Sequence, residues 1–256
     1  MQELTCKVSI RDLVNGGSCP EGYVLFRELL ALLDQKGSEL EFIWSPLTQL
    51  WLSRFASGAE EPVTDVASWL YEQRLAPKFS MANMDLRDLD LEGICFSHDN
   101  FQFANLSGAN LRRTNFRFSD LCSTVLSNTN LVESYFANCR LMSAVMPRQL
   151  TKVSFNFVDL DFSHAFSTEF RDCTFRHVSA NYIDLRRSKF IDCRFSNVDW
   201  KTDPLEQMKG ASFVNCTFDL CSFSHVNFDE ISFENCTHEE ATFFGCKGVP
   251  PRTKLP

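Results

Sequence analysis

No stretch of this 256-residue chain is apolar for long enough to span a bilayer. The strongest apolar runs, within 23–33, are broken by Arg27 and Glu28. The opening residues MQELTCKVSIRD carry acid and lack the apolar core of a secretion signal. No basic tract offers a surface to nucleic acid or lipid headgroups, and the formal net charge of -8 points away from both. The signatures of common catalysts are missing as well: G-x-G-x-x-G, the P-loop, H-E-x-x-H and G-x-S-x-G do not occur. The histidines, His98, His164, His177, His225 and His238, form no evident pair with a nucleophile. The expectation is therefore a cytoplasmic protein with no cofactor, no metal, no small-molecule substrate and no direct nucleic-acid binding, with non-classical secretion as the alternative location.

What the chain does have is enough hydrophobic material to fold, at 44% hydrophobic and 23% charged residues. It also has eleven cysteines. That number is odd and the chain is large, which argues against a secreted disulfide framework and for buried free thiols.

The placement of those cysteines follows a period of five. Stepping by five from Met81 through Leu86, Leu91 and Phe96 to Met146 lands on a large apolar residue every time. A second run goes from Phe155 to Trp200, and a third from Phe213 to Phe243 with His238 in its line. Two residues before each runs a companion line of small residues, such as Ala104, Thr124, Cys139, Cys173, Cys193, Cys216 and Cys236. Neither an α-helix nor a flat strand has this period, so the chain must turn a corner at each unit. The large and small residues point inward, three polar residues point outward, and four sides close a coil of 20. Coils then stack by parallel bridges about 4.8 Å apart, with Phe116 over Phe136 and Phe175 over Phe195. Asn105, Asn110, Asn115 and Asn130, each just before a large residue, are placed to hydrogen-bond backbone at corners. Cys216, Cys221, Cys236 and His238 have the chemistry of zinc ligands, but the companion line already accounts for the cysteines.

Two interruptions shift the phase. From Met146 to Phe155 the spacing is nine, read as a short loop at 147–152 with Pro147, Arg148, Gln149 and Lys152. From Trp200 to Phe213 it is thirteen, read as a longer loop at 201–210 with Lys201, Asp203, Pro204 and Glu206. Loops on a rigid scaffold are candidate partner contacts.

The units FANLS, GANLR, NTNLV and NCTFD resemble those of the pentapeptide-repeat proteins, over about two-thirds of the chain. The resemblance implies an all-β solenoid, a right-handed quadrilateral parallel β-helix over 79–246, with 247–256 as a tail. It implies a binding role rather than a catalytic one. Members of that family include DNA mimics that bind bacterial topoisomerase and protect it from inhibitors, and others that act as bacterial effectors.

Residues 1–78 lack the repeat and read as a small, mainly helical domain or cap. A strand is expected over 4–10 and helices over 20–35, from 45 to near 58, and from near 62 to 77. Charge is uneven along the repeats. Residues 211–246 carry Asp219, Asp229, Glu230, Glu234, Glu239 and Glu240 and no Lys or Arg, whereas 171–194 is rich in arginine, including Arg186 and Arg187. Asp219 and Glu239 are one coil apart and should share a face. This polarity suits a protein partner with complementary patches. The expected function is a non-catalytic scaffold or effector that engages a protein through its rod and loops. The alternatives are a DNA-mimic modulator of gyrase or another topoisomerase and a structural spacer presenting the N-terminal domain.

Overall fold

A computed structural model describes residues 79–202 and 207–248 continuously, together with 4–9, 39–44, 49, 56–57, 64–65, 70, 74–75, 250 and 252–253. The chain divides into two compact units: residues 1–80 with 94–97, and residues 81–93 with 98–256.

In the first unit, Leu4–Ser9 pairs antiparallel with Glu39–Trp44. The register sets Leu4, Cys6 and Val8 opposite Trp44, Phe42 and Leu40. The strand expected over 4–10 is thus present as Leu4–Ser9, and its partner was not foreseen. The helix expected over 20–35 lies outside the described residues. Gln49 and Leu70, inside the other two expected helices, are helical and buried. The ends of those helices are corrected: Ala56–Ser57 and Thr64–Asp65 form a short antiparallel pair instead. The Gln49 amide caps both backbone groups of Phe79, donating to its carbonyl at 3.1 Å and accepting from its N–H at 2.7 Å.

The second unit is an all-β parallel solenoid with four walls. On the first wall, bridges run Asp85, Asn105, Val125, Val145, His164, Asp184, each the residue before a buried one. The second wall carries Leu150, Phe170, Phe190, Phe213 and Phe233 in continuous parallel register. The third carries Phe116, Phe136, Phe155, Phe175, Phe195, Phe218 and His238. On the fourth, Asn100, Asp120, Arg140 and Asp159 bridge, and Ser179, Asp199, Ser222 and Thr242 continue the line. Rings fill the axis in stacked columns: Phe116 on Phe136 at 4.9 Å, Phe175 on Phe195 at 4.8 Å. Adjacent walls meet edge to face, as Phe190 does with Phe195 at 5.5 Å. Both geometries suit the ring quadrupole.

Both interruptions are smaller than the spacing suggested. Leu150 is buried and lies in the strand Gln149–Thr151, paired with Glu169–Arg171. It is an ordinary inward residue, so the first break is one residue lost from one side. Residues 147–152 form no projecting loop, and Pro147, Arg148, Gln149 and Lys152 belong to the walls and corner. Likewise Met208 is buried and takes the first-wall position above Leu185: Leu185 N–H donates to the Gln207 carbonyl, and Arg187 N–H to that of Lys209. Trp200 to Met208 spans eight residues where five suffice, so three are extra rather than eight. Asp203, Pro204 and Glu206 lie outside the described residues. The ring columns cross both breaks, with Phe136–Phe155 at 5.3 Å and Phe195–Phe218 at 5.0 Å.

The companion line is more than small. Thr124 Oγ1 donates to the Phe101 carbonyl one coil back at 2.9 Å, and Ser134 Oγ to that of Leu111 at 2.6 Å. Cys173, Cys193, Cys216 and Cys236 repeat the contact to Leu150, Phe170, Phe190 and Phe213 at 3.3–3.6 Å. A buried carbonyl has two lone pairs to satisfy. The Phe101 carbonyl uses both, since Ala104 N–H also donates to it at 2.9 Å. Ser, Thr and Cys fit here because they combine small volume with a donor. The nine cysteines from Cys95 to Cys246 are free thiols.

Candidate binding surface

Most corners are made by a residue of positive φ two places after the inward residue: Asn83, Asp88, Gly93, His98, Phe103 and others along the unit. Such a residue completes a tight turn, and Gly, Asn or Asp adopts it most readily. A bulky side chain there costs about 1–2 kcal/mol. Phe103, Phe118, Phe157 and Phe162 occupy it nonetheless, and they are 62%, 48%, 53% and 47% exposed.

Their arrangement is ordered. The corner before the fourth wall carries Phe157 stacked on His177 at 4.4 Å. The corner after that wall carries Phe162 stacked on Tyr182 at 5.1 Å. Two exposed ring pairs therefore flank the same two coils of one wall. Toward the chain's N-terminal end the theme recurs, with His98 on Phe118 at 4.8 Å and Phe103 on the following corner.

The wall between the later pairs is polar and preorganised. Asp161 Oδ1 accepts from Ser179 Oγ at 2.6 Å and from the Asn181 N–H at 2.8 Å, and Asp161 Oδ2 accepts from Asn181 Nδ2 at 3.3 Å. Asp159 accepts from the Asp161 N–H at 3.0 Å. Burial, helped by the negative charge of Asp161, pushes the Asp159 carboxyl above its ordinary value. Lower on the same wall Asp120 behaves oppositely. Burial pushes it up, but hydrogen bonds from the Cys122 thiol and N–H and from Gln102, with Arg140 3.1 Å away, carry it below its ordinary value.

The residues singled out from the sequence are dispersed. Asp219 and Glu239 are paired in register on the third wall, as expected. Arg186 is held by Asp184 in a two-point ion pair at 2.8 and 2.7 Å, and it lies over the Phe166 ring with Arg187. Glu230 meets Lys209 at 3.3 Å, and Asn227 caps the short turn that holds Asp229, its Oδ1 accepting from the Asp229 N–H at 3.3 Å. Lys201 lies over Tyr182 at 5.6 Å. Cys221 is on a different wall from Cys216 and Cys236, and no cluster of metal-ligating side chains occurs among the described residues. The exposed rings were missed, although each stands in the sequence where the outward triplet should be polar. Asn105, Asn110 and Asn130 do accept backbone N–H groups two residues on, at 3.1, 3.3 and 3.2 Å.

A parallel solenoid with one large and one small inward residue per five-residue side defines a class, and comparison with known proteins agrees. The family model for pentapeptide repeats matches eight copies, at residues 100–141 and 168–199. The chain carries a pentapeptide-repeat scaffold and resembles that family in sequence and in fold. Among solved structures it is similar to HetL, a pentapeptide repeat protein involved in heterocyst differentiation regulation from the cyanobacterium Nostoc sp. strain PCC 7120. The two share 14% identity at a TM-score of 0.53, over 69% of this chain and 89% of HetL. A trypsin-treated form of QnrB1, a plasmid-mediated fluoroquinolone resistance protein, matches with 14% identity and a TM-score of 0.35, over 63% of this chain and 84% of the other. No curated protein matches the chain.

Proposed function

We propose that this protein is a non-catalytic scaffold that binds a protein partner across the fourth wall of its solenoid. The observation that carries this reading is the pair of exposed ring stacks, Phe157–His177 and Phe162–Tyr182, on the two edges of that wall. Leaving a phenylalanine in water forgoes roughly 1.5–3 kcal/mol of burial, and the corner conformation adds its own cost. One coil bears both costs at both edges of the wall, through Phe157 and Phe162, and the next stacks His177 and Tyr182 on those rings. Rigid aromatic groups around satisfied polar groups are the composition of interface centres, and contiguous exposed apolar surface marks interaction sites. A wall whose inward residues Leu160 and Ala180 are buried offers a flat face rather than a cleft, which suits a macromolecular partner.

The test compares the intact protein with a Phe157→Ser/Phe162→Ser variant as bait, with captured proteins quantified and thermal unfolding recorded for both. A partner retained by the intact protein and lost by the variant, at equal folded stability, supports the reading. Identical captured sets would refute it. Topoisomerase subunits among the ring-dependent partners would select the DNA-mimic alternative from within the same class.

A further inference from the structure

The solenoid has a basic concavity that its acidic composition does not suggest. Residues 211–246 contain no Lys or Arg, yet three lysines from outside that stretch converge beside it. Lys201, Lys209 and Lys247 line one hollow of about 480 Å³ with Tyr182, His225 and Asn227. It lies at the corner after the fourth wall, where the second interruption falls. Its volume lies within the range of small-molecule sites.

The charges in it are unevenly compensated. Lys209 is paired with Glu230 at 3.3 Å. Lys201 has the Tyr182 ring face at 5.6 Å. Neither Lys201 nor Lys247 has a carboxylate partner among the described residues. Collecting ammonium groups on one wall is unfavourable unless an anion offsets them. The neutral groups are suited to the same anion. Ser224 Oγ is 2.9 Å from His225 Nδ1, which leaves Nε2 for a ligand, and Thr202 Oγ1 anchors the His225 carbonyl at 2.8 Å. Gly245 keeps room for the ring: a Cβ there would stand 3.0 Å from His225 Cδ2 and 3.1 Å from Nε2.

We propose that this hollow binds a small phosphate-bearing anion, with Lys201 and Lys247 as the charge-bearing contacts and His225 as a further donor. The inference does not rest on the partner-binding reading, although the hollow lies at the same corner as the Phe162–Tyr182 pair and shares Tyr182 with it.

The probes are sodium pyrophosphate and inorganic phosphate, titrated at constant ionic strength because exposed charges are screened. The readouts are calorimetry and thermal shift on the full chain. Saturable binding of at least one probe is expected, with a Lys201→Gln/Lys247→Gln variant at least tenfold weaker. A control variant, Arg171→Gln/Lys189→Gln, removes the same charge from the second wall and should bind within twofold of the intact protein. No saturable binding to the intact protein overturns the proposal. So does equal binding by the double variant, or an equal loss in the control, which would make the effect one of overall charge.

Discussion

Replacement of Phe195 by alanine tests the stacked-ring account of the core most directly. Phe195 is buried and stacked between Phe175 at 4.8 Å and Phe218 at 5.0 Å, and it meets Phe190 and Trp200 edge to face at 5.5 and 5.0 Å. A buried Phe→Ala change costs about 3–5 kcal/mol through lost transfer and the cavity left behind. Two stacks and three edge contacts, the third with Phe213 at 6.0 Å, each contributing about 0.5–1.5 kcal/mol beyond area, put Phe195 at the upper end, about 5 kcal/mol. Phe243 is the internal control. It is half-buried, stacks on one ring, Phe223 at 5.4 Å, and meets Phe228 and His238 edge to face at 5.8 and 5.2 Å, so Phe243→Ala should cost about 2 kcal/mol. Urea unfolding followed by far-ultraviolet circular dichroism measures both. Each coil touches chiefly its two neighbours, so a void at Phe195 weakens two interfaces and should broaden the transition as well as move it. A Phe195→Ala cost equal to that of Phe243→Ala would refute the stacked-column reasoning.

Thr124→Val removes a donor but leaves the Phe101 carbonyl bonded to the Ala104 N–H, so urea unfolding should show a loss of only about 0.5–1.5 kcal/mol. The two fourth-wall aspartates should respond to pH with opposite sign. Asp120, held below the ordinary 3.8, contributes stability that is present above that value and lost as pH falls through its folded value; Asp159, held above it, opposes folding once ionised. Thermal melts at pH 7 should therefore show Asp120→Asn destabilised and Asp159→Asn stabilised, each by less than about 1 kcal/mol given their solvent access, with both differences fading near pH 2. Burial pushes the Cys139 thiol up to about 11 and the Cys221 thiol up to about 12, so iodoacetamide mapped by peptide mass spectrometry should modify half-buried Cys246 first and reach those two only on unfolding.

The period of five made the solenoid legible because the inward residue of each side has no alternative to being apolar. Leu150 and Met208 escaped because counting by fives steps over a unit when one residue is lost or three are gained, and both breaks then looked like loops. The hydrogen-bonding role of the companion line was half legible: its small size shows in the sequence, but the carbonyl it serves lies 23 residues back and belongs to the stacking, not to the unit. The strand Glu39–Trp44 was readable from the alternation of Leu40, Phe42 and Trp44. The ring pairs were visible one at a time as apolar residues at outward positions. Their pairing depends on which residues end up one above the other, and that required the breaks to be placed correctly.

The two breaks also show how this architecture handles errors of length. Phe136 pairs with Phe155 nineteen residues on, and Phe190 with Phe213 twenty-three residues on, yet the ring column continues through both. In a coiled coil an inserted residue rotates everything downstream and must be absorbed over several turns. Here each coil takes its alignment from the one beneath it, as a line of type is set against the margin rather than against the previous word. A miscount is erased within one circuit, so such a chain can gain or lose residues at its corners while every later coil keeps its place.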